Sequence, residues 1–368
     1  MTSIDFGARI AKVRASLIHE SLDAVFVTPG SDLRYLTGYD ALPLERLTCL
    51  AITSAQSAHL LVPLLELPAA QQHDLGKFGI ELVAWGETQD PIGLLGEITG
   101  SIETAAVNDA MWAQKALGIQ ERMNARIKPA GRLISDIRAI KDAAEISAIA
   151  QAGVAIDEVH RNMSQWLRAG RSEREVARDI AEAILAAGHR SVDFVIVASG
   201  PNGASPHHDS SERVIGIGEP VVVDIGGTMP SGYCSDSTRM YVCGEPPVEF
   251  TDHYEVLKIA QAHAVNSIKI GMSGAQADAL ARDILVENGL GDFFVHRTGH
   301  GLGLDTHEDP YIVASNHEPL VAGNVFSIEP GFYLPGKFGA RIEDIVALTD
   351  EGLVNFNNTS HELTILSS

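Results

Sequence analysis

Cysteine is scarce in this chain of 368 residues: Cys49, Cys234 and Cys243 are the whole set, with no CxxC pair. That excludes a disulfide framework and a thiolate zinc site, and a reducing, cytoplasmic setting is expected. Basic residues are also few. With 27 Lys and Arg against 48 Asp and Glu the formal net charge is −21. A nucleic-acid backbone or an anionic membrane surface needs clustered positive charge and is excluded as a partner. No stretch approaches the ~20 apolar residues of a bilayer span. The opening MTSIDFGARIAKVRASL has charges inside every apolar run and is not expected to act as a signal peptide. What is present is 45% hydrophobic and 20% charged residues, enough for a packed core, at a length that suggests about two domains.

Residues 5–20 have the apolar spacing of a helix (Ile10, Val13, Leu17). LDAVFVT (22–28), LTCLAIT (47–53), AHLLVP (58–63) and IELVAW (80–85) read as strands. PGSDLRYLTGYD reads as a turn-rich connection, a Ser/Gln turn joins 53 to 58, and LPAAQQHDLGKF reads as helical. Together they predict an α/β domain over 1–135. A second, larger domain is expected over 136–368, opening with a helix in KDAAEISAIAQAGVAIDEVHRNMSQWL whose Met163 and Trp166 face a core. Capping boxes at Ser172/Glu175 and Ser273/Gln276 each start a later helix. FVIVASG, EPVVVDIGG and YCSDSTRMYVC read as strands, the last two paired as a hairpin about the MPSG turn. NVFSIEP and ARIEDIVAL follow as strands near the end. The helix starts at Gly170-Arg171-Ser172 and Gly271-Met272-Ser273, and the strand-end acids Asp224 and Glu329, repeat at offsets of 101 and 105. That spacing suggests an internal duplication with a site on its pseudo-twofold axis.

The chemistry is concentrated in acids placed inside apolar strands. Asp224 follows three valines, Glu329 follows Ile328, and Glu343 lies between Ile342 and Ile345 with Asp344 beside it. A carboxylate in such company is costly unless it is paired or coordinates a cation. Hairpin pairing brings Asp236 opposite or diagonal to Asp224. Arg341 and Glu343, two apart on one expected strand, would face the same side. The segment TGHGLGLDTHEDP (298–310) is too Gly-rich for a helix and too polar for a buried strand, so it is expected to be a loop offering His300 and His307. Four carboxylates and one imidazole favour a hard ion such as Mn²⁺. That much negative charge is better matched by two divalent metals than by one.

VVVDIGG, SDSTRMY, GHGLGLDTHEDP, FSIEPGFY and ARIEDIV, in this order, resemble the pita-bread metallopeptidases, and within them the Xaa-Pro aminopeptidase and Xaa-Pro dipeptidase (prolidase) branch. SDLRYLTGY (31–39) resembles part of the creatinase-type N-terminal domain of that branch. The resemblance implies an α/β N-terminal domain followed by an α+β pita-bread (creatinase/aminopeptidase) catalytic domain with a pseudo-twofold internal duplication. It implies Asp224, Asp236, His300, Glu329 and Glu343 as ligands of two divalent metal ions, Mn²⁺ in first place and Co²⁺ or Zn²⁺ as alternatives. Glu329 would also move the proton of the attacking water, His207 and His307 would hydrogen-bond the reacting carbonyl, and Arg341 would orient the acidic ligands. His208 has no counterpart and is expected to be a solvated neighbour. His160, His253 and His263 are expected to be structural or exposed.

The expected substrates are small peptides with proline at the second position, cut at a bond ordinary peptidases handle poorly because it lacks an N–H. The compact catalytic half favours a prolidase-like dipeptidase, with Arg297 as a candidate for the substrate carboxylate. The alternatives are an Xaa-Pro aminopeptidase acting on longer peptides and, from other classes, a metal-free creatinase-like hydrolase or an inactive binding module on the same fold. Those last two predict eroded ligands, and here no ligand is substituted. The branch also implies a homodimer.

Overall fold

The computed structural model describes residues 4–55 and 57–367. Gln56, in the expected Ser/Gln turn, and the first three residues of the opening stretch lie outside the described residues. The chain divides into two compact units, Met1–Arg138 and Ala139–Ser368. No helix among the described residues is long and apolar enough to cross a membrane.

The first unit runs α1 (Phe6–His19), β1 (Ala24–Val27), α2 (Ser31–Thr37), β2 (Cys49–Thr53), β3 (Ala58–Pro63), α3 (Leu67–Ala70), β4 (Glu81–Trp85), α4 (Pro91–Thr99), β5 (Thr104–Val107), α5 (Ala113–Met123), β6 (Arg126–Pro129) and α6 (Arg132–Ala139). Its sheet has the order β4-β3-β2-β1-β5-β6, with β1 parallel to β5 and antiparallel to β2. Phe26, Cys49, Leu61 and Trp85 from the sheet pack on Leu95 of α4 and Ile119 of α5.

Two local expectations fail here. The supposed turn-rich connection contains α2, because Leu33 and Leu36, one helical turn apart, are both fully buried. Gly38, at φ +73°, takes the left-handed position that ends the helix. The stretch LPAAQQHDLGKF is not one helix. Asp74 adopts φ +45° and breaks it into α3 and two 3-10 turns.

The second unit runs α7 (Ala143–Arg161), α8 (Glu173–Ala186), β7 (Ser191–Ser199), β8 (Pro220–Thr228), β9 (Cys234–Cys243), α9 (Val248–Ser267), α10 (Gly274–Glu287), β10 (Gly299–Gly301), β11 (Glu308–Ile312), β12 (Val325–Ile328), β13 (Gly331–Leu334), β14 (Phe338–Arg341), β15 (Asp344–Thr349), β16 (Gly352–Asn355) and β17 (Thr364–Leu366). One sheet has the order β17-β9-β8-β7 and another β11-β10-β12-β15-β16, while β13 and β14 pair by themselves.

Alternation sorts the side chains of β8. Val221, Val223 and Ile225 face Val176, Ile180 and Ile184 of α8 in one core. Burying each of these aliphatic side chains stabilises the unit by roughly 2 kcal/mol. Val222, on the opposite face, joins a second core with Phe250, Phe326 and Phe332. Asp224 shares the parity of Val222 and is therefore aimed toward the second half of the unit.

The two halves repeat one main-chain pattern. The N–H of Gly170 donates to Ile215 O, that of Ile215 to Arg171 O, that of Glu173 to Arg213 O and that of Arg174 to Ser211 O. Gly271, Leu320, Gly274 and Ala275 make the same bonds to Leu320, Met272, Glu318 and Asn316. Both capping boxes are formed, at Ser172/Glu175 and at Ser273/Gln276.

Candidate metal centre

The hairpin β8–β9 supplies the first two acids. Asp224 is paired with Thr238, and Asp236 with Gly226, so the acids lie diagonally on one face. Asp224 Oδ2 accepts from Arg341 Nη2, and its Oδ1 lies 2.9 Å from the Thr238 hydroxyl. That hydroxyl is also 2.7 Å from Glu343 Oε2 and accepts from Arg341 Nε at 3.0 Å. It has one proton for two carboxylates, so Thr238 ties Asp224 to Glu343 without satisfying both.

His300 is not on a loop. It is the middle residue of β10, whose neighbours Gly299 and Gly301 carry no Cβ because none would fit. A Cβ on Gly299 would sit 1.9 Å from Ser327 O, and one on Gly301 2.2 Å from Asp309 O. Its Nδ1–H donates to Gly301 O at 3.1 Å, which leaves Nε2 as the free lone pair. That Nε2 lies 3.1 Å from Glu329 Oε1 and 3.8 Å from Asp236 Oδ2. The Ser327 hydroxyl accepts from His300 N–H and donates to Glu329 Oε1 at 3.1 Å.

Arg341 and Glu343 do not share one strand as expected. Arg341 ends β14, and β15 begins only at Asp344, so Ile342 and Glu343 form the break. The pull comes from two partners: β14 pairs with β13, while β15 pairs with β12. Glu343 still turns into the site. Asp344 goes the other way, onto Arg239 at 2.7 Å, His361 at 2.8 Å and Gln261 at 2.9 Å.

Ligand atoms of Asp236, His300 and Glu343 lie within 4.8 Å of one another, all three residues buried. Asp224, buried, and Glu329, partly buried, complete a group of four carboxylates that is held against the guanidinium of Arg341. Burial, then the charges of the other acids, pushes Asp236 and Glu343 well above the ordinary carboxylate range. Asp224 is also raised by burial, against the pull of Arg341. Burial would raise Glu329 as well, but it is held low, chiefly by the adjacent His300. Oxygen donors in this number, one imidazole with its lone pair turned inward and a deficit of positive charge are the donor set of hard divalent cations. A cation among them favours the ionised form of all four acids.

These residues line a cavity of about 250 Å³, together with Phe194, Ile196, Pro206, His207, His296, Arg297 and His307. His307 packs its ring 4.1 Å from that of His300, and burial lowers it to about 4. The Arg297 guanidinium stacks 4.6 Å over the Tyr311 ring. Its side chain forms no ion pair among the described residues.

Sequence reasoning missed His296 and Tyr333. His296 Nδ1–H donates to Arg297 O at 2.7 Å, and its Nε2 accepts from the Tyr333 hydroxyl at 2.9 Å. Arg341 Nη1 donates to that same hydroxyl at 2.8 Å, which fixes its direction and keeps His296 neutral. Burial lowers His296 to about 4. The missed signal was the spacing of His296 four residues before His300. The segment is held by Asp278, which accepts from Thr298 N–H, and by Arg282, which donates to Phe294 O and His296 O.

His208 is not solvated as expected; its Nε2 lies 2.8 Å from the buried Glu173 carboxylate. His160 is buried with Nδ1 2.9 Å from the Tyr241 hydroxyl, and His263 is exposed.

Residues 147–350 match the family described as Metallopeptidase family M24, and residues 9–140 match the Creatinase/Prolidase N-terminal domain. The chain is similar to the crystal structure of dipeptidase PepE from Mycobacterium ulcerans, at 45% identity and TM-score 0.94 over 99% of this chain and 98% of that one. A prolidase from Thermococcus sibiricus is 39% identical with TM-score 0.91, over 99% of this chain and all of the other. The Xaa-Pro dipeptidase of Lactobacillus delbrueckii subsp. lactis is 32% identical over 96% of this chain and 98% of its own length.

Proposed function

The chain belongs to metallopeptidase family M24, and from that premise we propose that it hydrolyses the Xaa-Pro bond of dipeptides with two divalent metal ions, Mn²⁺ in first place. The observation that carries this reading is the convergence of Asp224, Asp236, His300, Glu329 and Glu343 on one cavity of about 250 Å³. That volume lies below the roughly 300–1,000 Å³ typical of sites for drug-sized ligands, which suits a very short peptide. The similar proteins named as dipeptidase, prolidase and Xaa-Pro dipeptidase support it.

In this reading Asp224, Asp236, His300, Glu329 and Glu343 would together hold the two ions. When bound, such ions supply Lewis acidity toward a carbonyl oxygen and make water a nucleophile at neutral pH. The protein does the rest. Glu329 Oε1 accepts from the Ser327 hydroxyl, which leaves Oε2 to take a proton from water and deliver it to the proline nitrogen. His307, neutral at pH 7, and His207 hydrogen-bond the carbonyl oxygen as charge develops on it. Arg341 holds Asp224 and, through Thr238, orients Glu343.

Arg341 is spent on Asp224, so Arg297 is the guanidinium left in the cavity for a substrate carboxylate. A free carboxylate directly after proline is what separates a dipeptide from a longer peptide. The test compares an Xaa-Pro dipeptide with the Xaa-Pro-Xaa tripeptide, on wild type and Arg297→Gln. The expected result is a dipeptide preference that shrinks by at least tenfold in the variant, through KM. A tripeptide preference in wild type would move the assignment to Xaa-Pro aminopeptidase.

A further inference from the structure

His207 lines the cavity but is exposed and makes no hydrogen bond of its own among the described residues. A side chain meant to stabilise a developing charge must be held to within a fraction of an ångström, so something else has to place it. Its neighbours do. Pro206 O accepts from Arg341 Nη1 at 3.5 Å on one side, and His208 reaches Glu173 at 2.8 Å on the other.

Glu173, in the first turn of α8, has a fully buried side chain. Its Oε1 accepts from Ser199 N–H at 2.7 Å, the Ser199 hydroxyl at 2.8 Å and the Asn202 amide at 3.0 Å. Its Oε2 accepts from Ser211 N–H at 3.1 Å, the Ser211 hydroxyl at 2.7 Å and His208 Nε2. Burial opposes ionisation, yet the donors led by Ser199 N–H hold Glu173 at about 2. One charge therefore gathers the end of β7, the turn Gly200–Ala204 and the loop through Ser211, with His207 between its anchored points. The other half has a similar device with the charges exchanged. His307 is followed by Glu308, which pairs with the buried Lys141 at 2.6 Å.

We propose that His208, clamped by Glu173, is the positioning residue for His207. The assignment of a role to His207 rests on the proposed peptidase reading. Glu173 keeps its serine and asparagine donors when His208 is replaced, so His208→Ala should fold and retain its metal. In that variant kcat/KM for an Xaa-Pro dipeptide is expected to fall on the order of tenfold, close to the loss in His207→Ala. His208→Gln, which still offers an N–H, should recover most of it. Because His208 acts through His207, the double variant should be no worse than His207→Ala alone. Amide hydrogen exchange over 203–211 should rise in His208→Ala and return toward wild type in His208→Gln. A double variant whose losses multiply, or loop exchange unchanged in His208→Ala, overturns the proposal. If wild type cleaves no Xaa-Pro peptide, the peptidase reading fails by itself and the exchange result alone decides the clamp.

Discussion

The two halves of the second unit start from one main-chain plan and reach the site by different means. The first half uses a long unbroken hairpin, β8 and β9 of nine and ten residues, and period-two alternation puts Asp224, Asp236 and Thr238 on one face. The second half uses strands of three to six residues and presents His300, Glu329, Glu343 and Arg341 at or beside strand ends and breaks. Regular pairing needs no special residue to aim a ligand. A broken arrangement does, and here it uses Gly299 and Gly301, the Ser327 hydroxyl and the Asp278–Arg282 clamp. The regular half supplies fixed charge, and the broken half supplies the imidazole and the base.

The largest expected effect comes from the base. Glu329→Gln should reduce turnover by roughly 10³-fold or more while circular dichroism and Tm stay near wild type; activity near wild type would remove Glu329 from its role. Next is the backbone of the broken half. Gly299→Ala puts a methyl group on Ser327 O and should cost about 3 kcal/mol or more in denaturant unfolding.

The acids shared between the halves give a pH test. Asp236 and Glu343 have folded pKa values raised well above the usual range, so the metal-free folded protein binds more protons than the unfolded chain. Stability of the metal-free form is therefore greatest below the unfolded pKa of about 4 for these groups, and falls as pH rises through the raised values. Denaturant unfolding of the metal-free protein across a pH series should show this decline. Since burial raises both and the charge of Glu343 adds to Asp236, Asp236→Asn or Glu343→Gln alone should flatten that slope. A slope that is unchanged in either variant would show that the halves do not share this charge. The smallest effect probes the common plan. Gly170 and Gly271 both have φ +87° with open space around them, and Ala at either should cost about 1 kcal/mol, equally in the two halves.

The sequence made the regular half easy to read. Alternation in VVVDIGG and SDSTRMY, with a short turn between them, is enough to give the hairpin and its diagonal acids. The spacing of Gly170, Ser172 and Asp224 to their later counterparts was enough to suggest the duplication. What was illegible lies where tertiary partners decide. ARIEDIVAL reads as one strand, and only the competing pairings of β14 with β13 and β15 with β12 break it between Arg341 and Asp344. His300 looked like a loop residue because its flanking glycines serve a close approach to Ser327 and Asp309 rather than a turn. His208 was expected to be solvated, and its partner Glu173 carries no mark in the sequence of being a buried acid. Its burial depends on donors at Ser199, Asn202 and Ser211, well separated in sequence.

In the proposed reading both halves together hold a pair of divalent ions in one carboxylate cluster. Its most direct test is the metal bound per chain after equilibrium dialysis against Mn²⁺, with Asp224→Asn and Glu329→Gln run beside wild type. Two ions are expected in wild type and weakened binding of one or both in each variant. Wild-type protein that binds none and is fully active after chelation would contradict it.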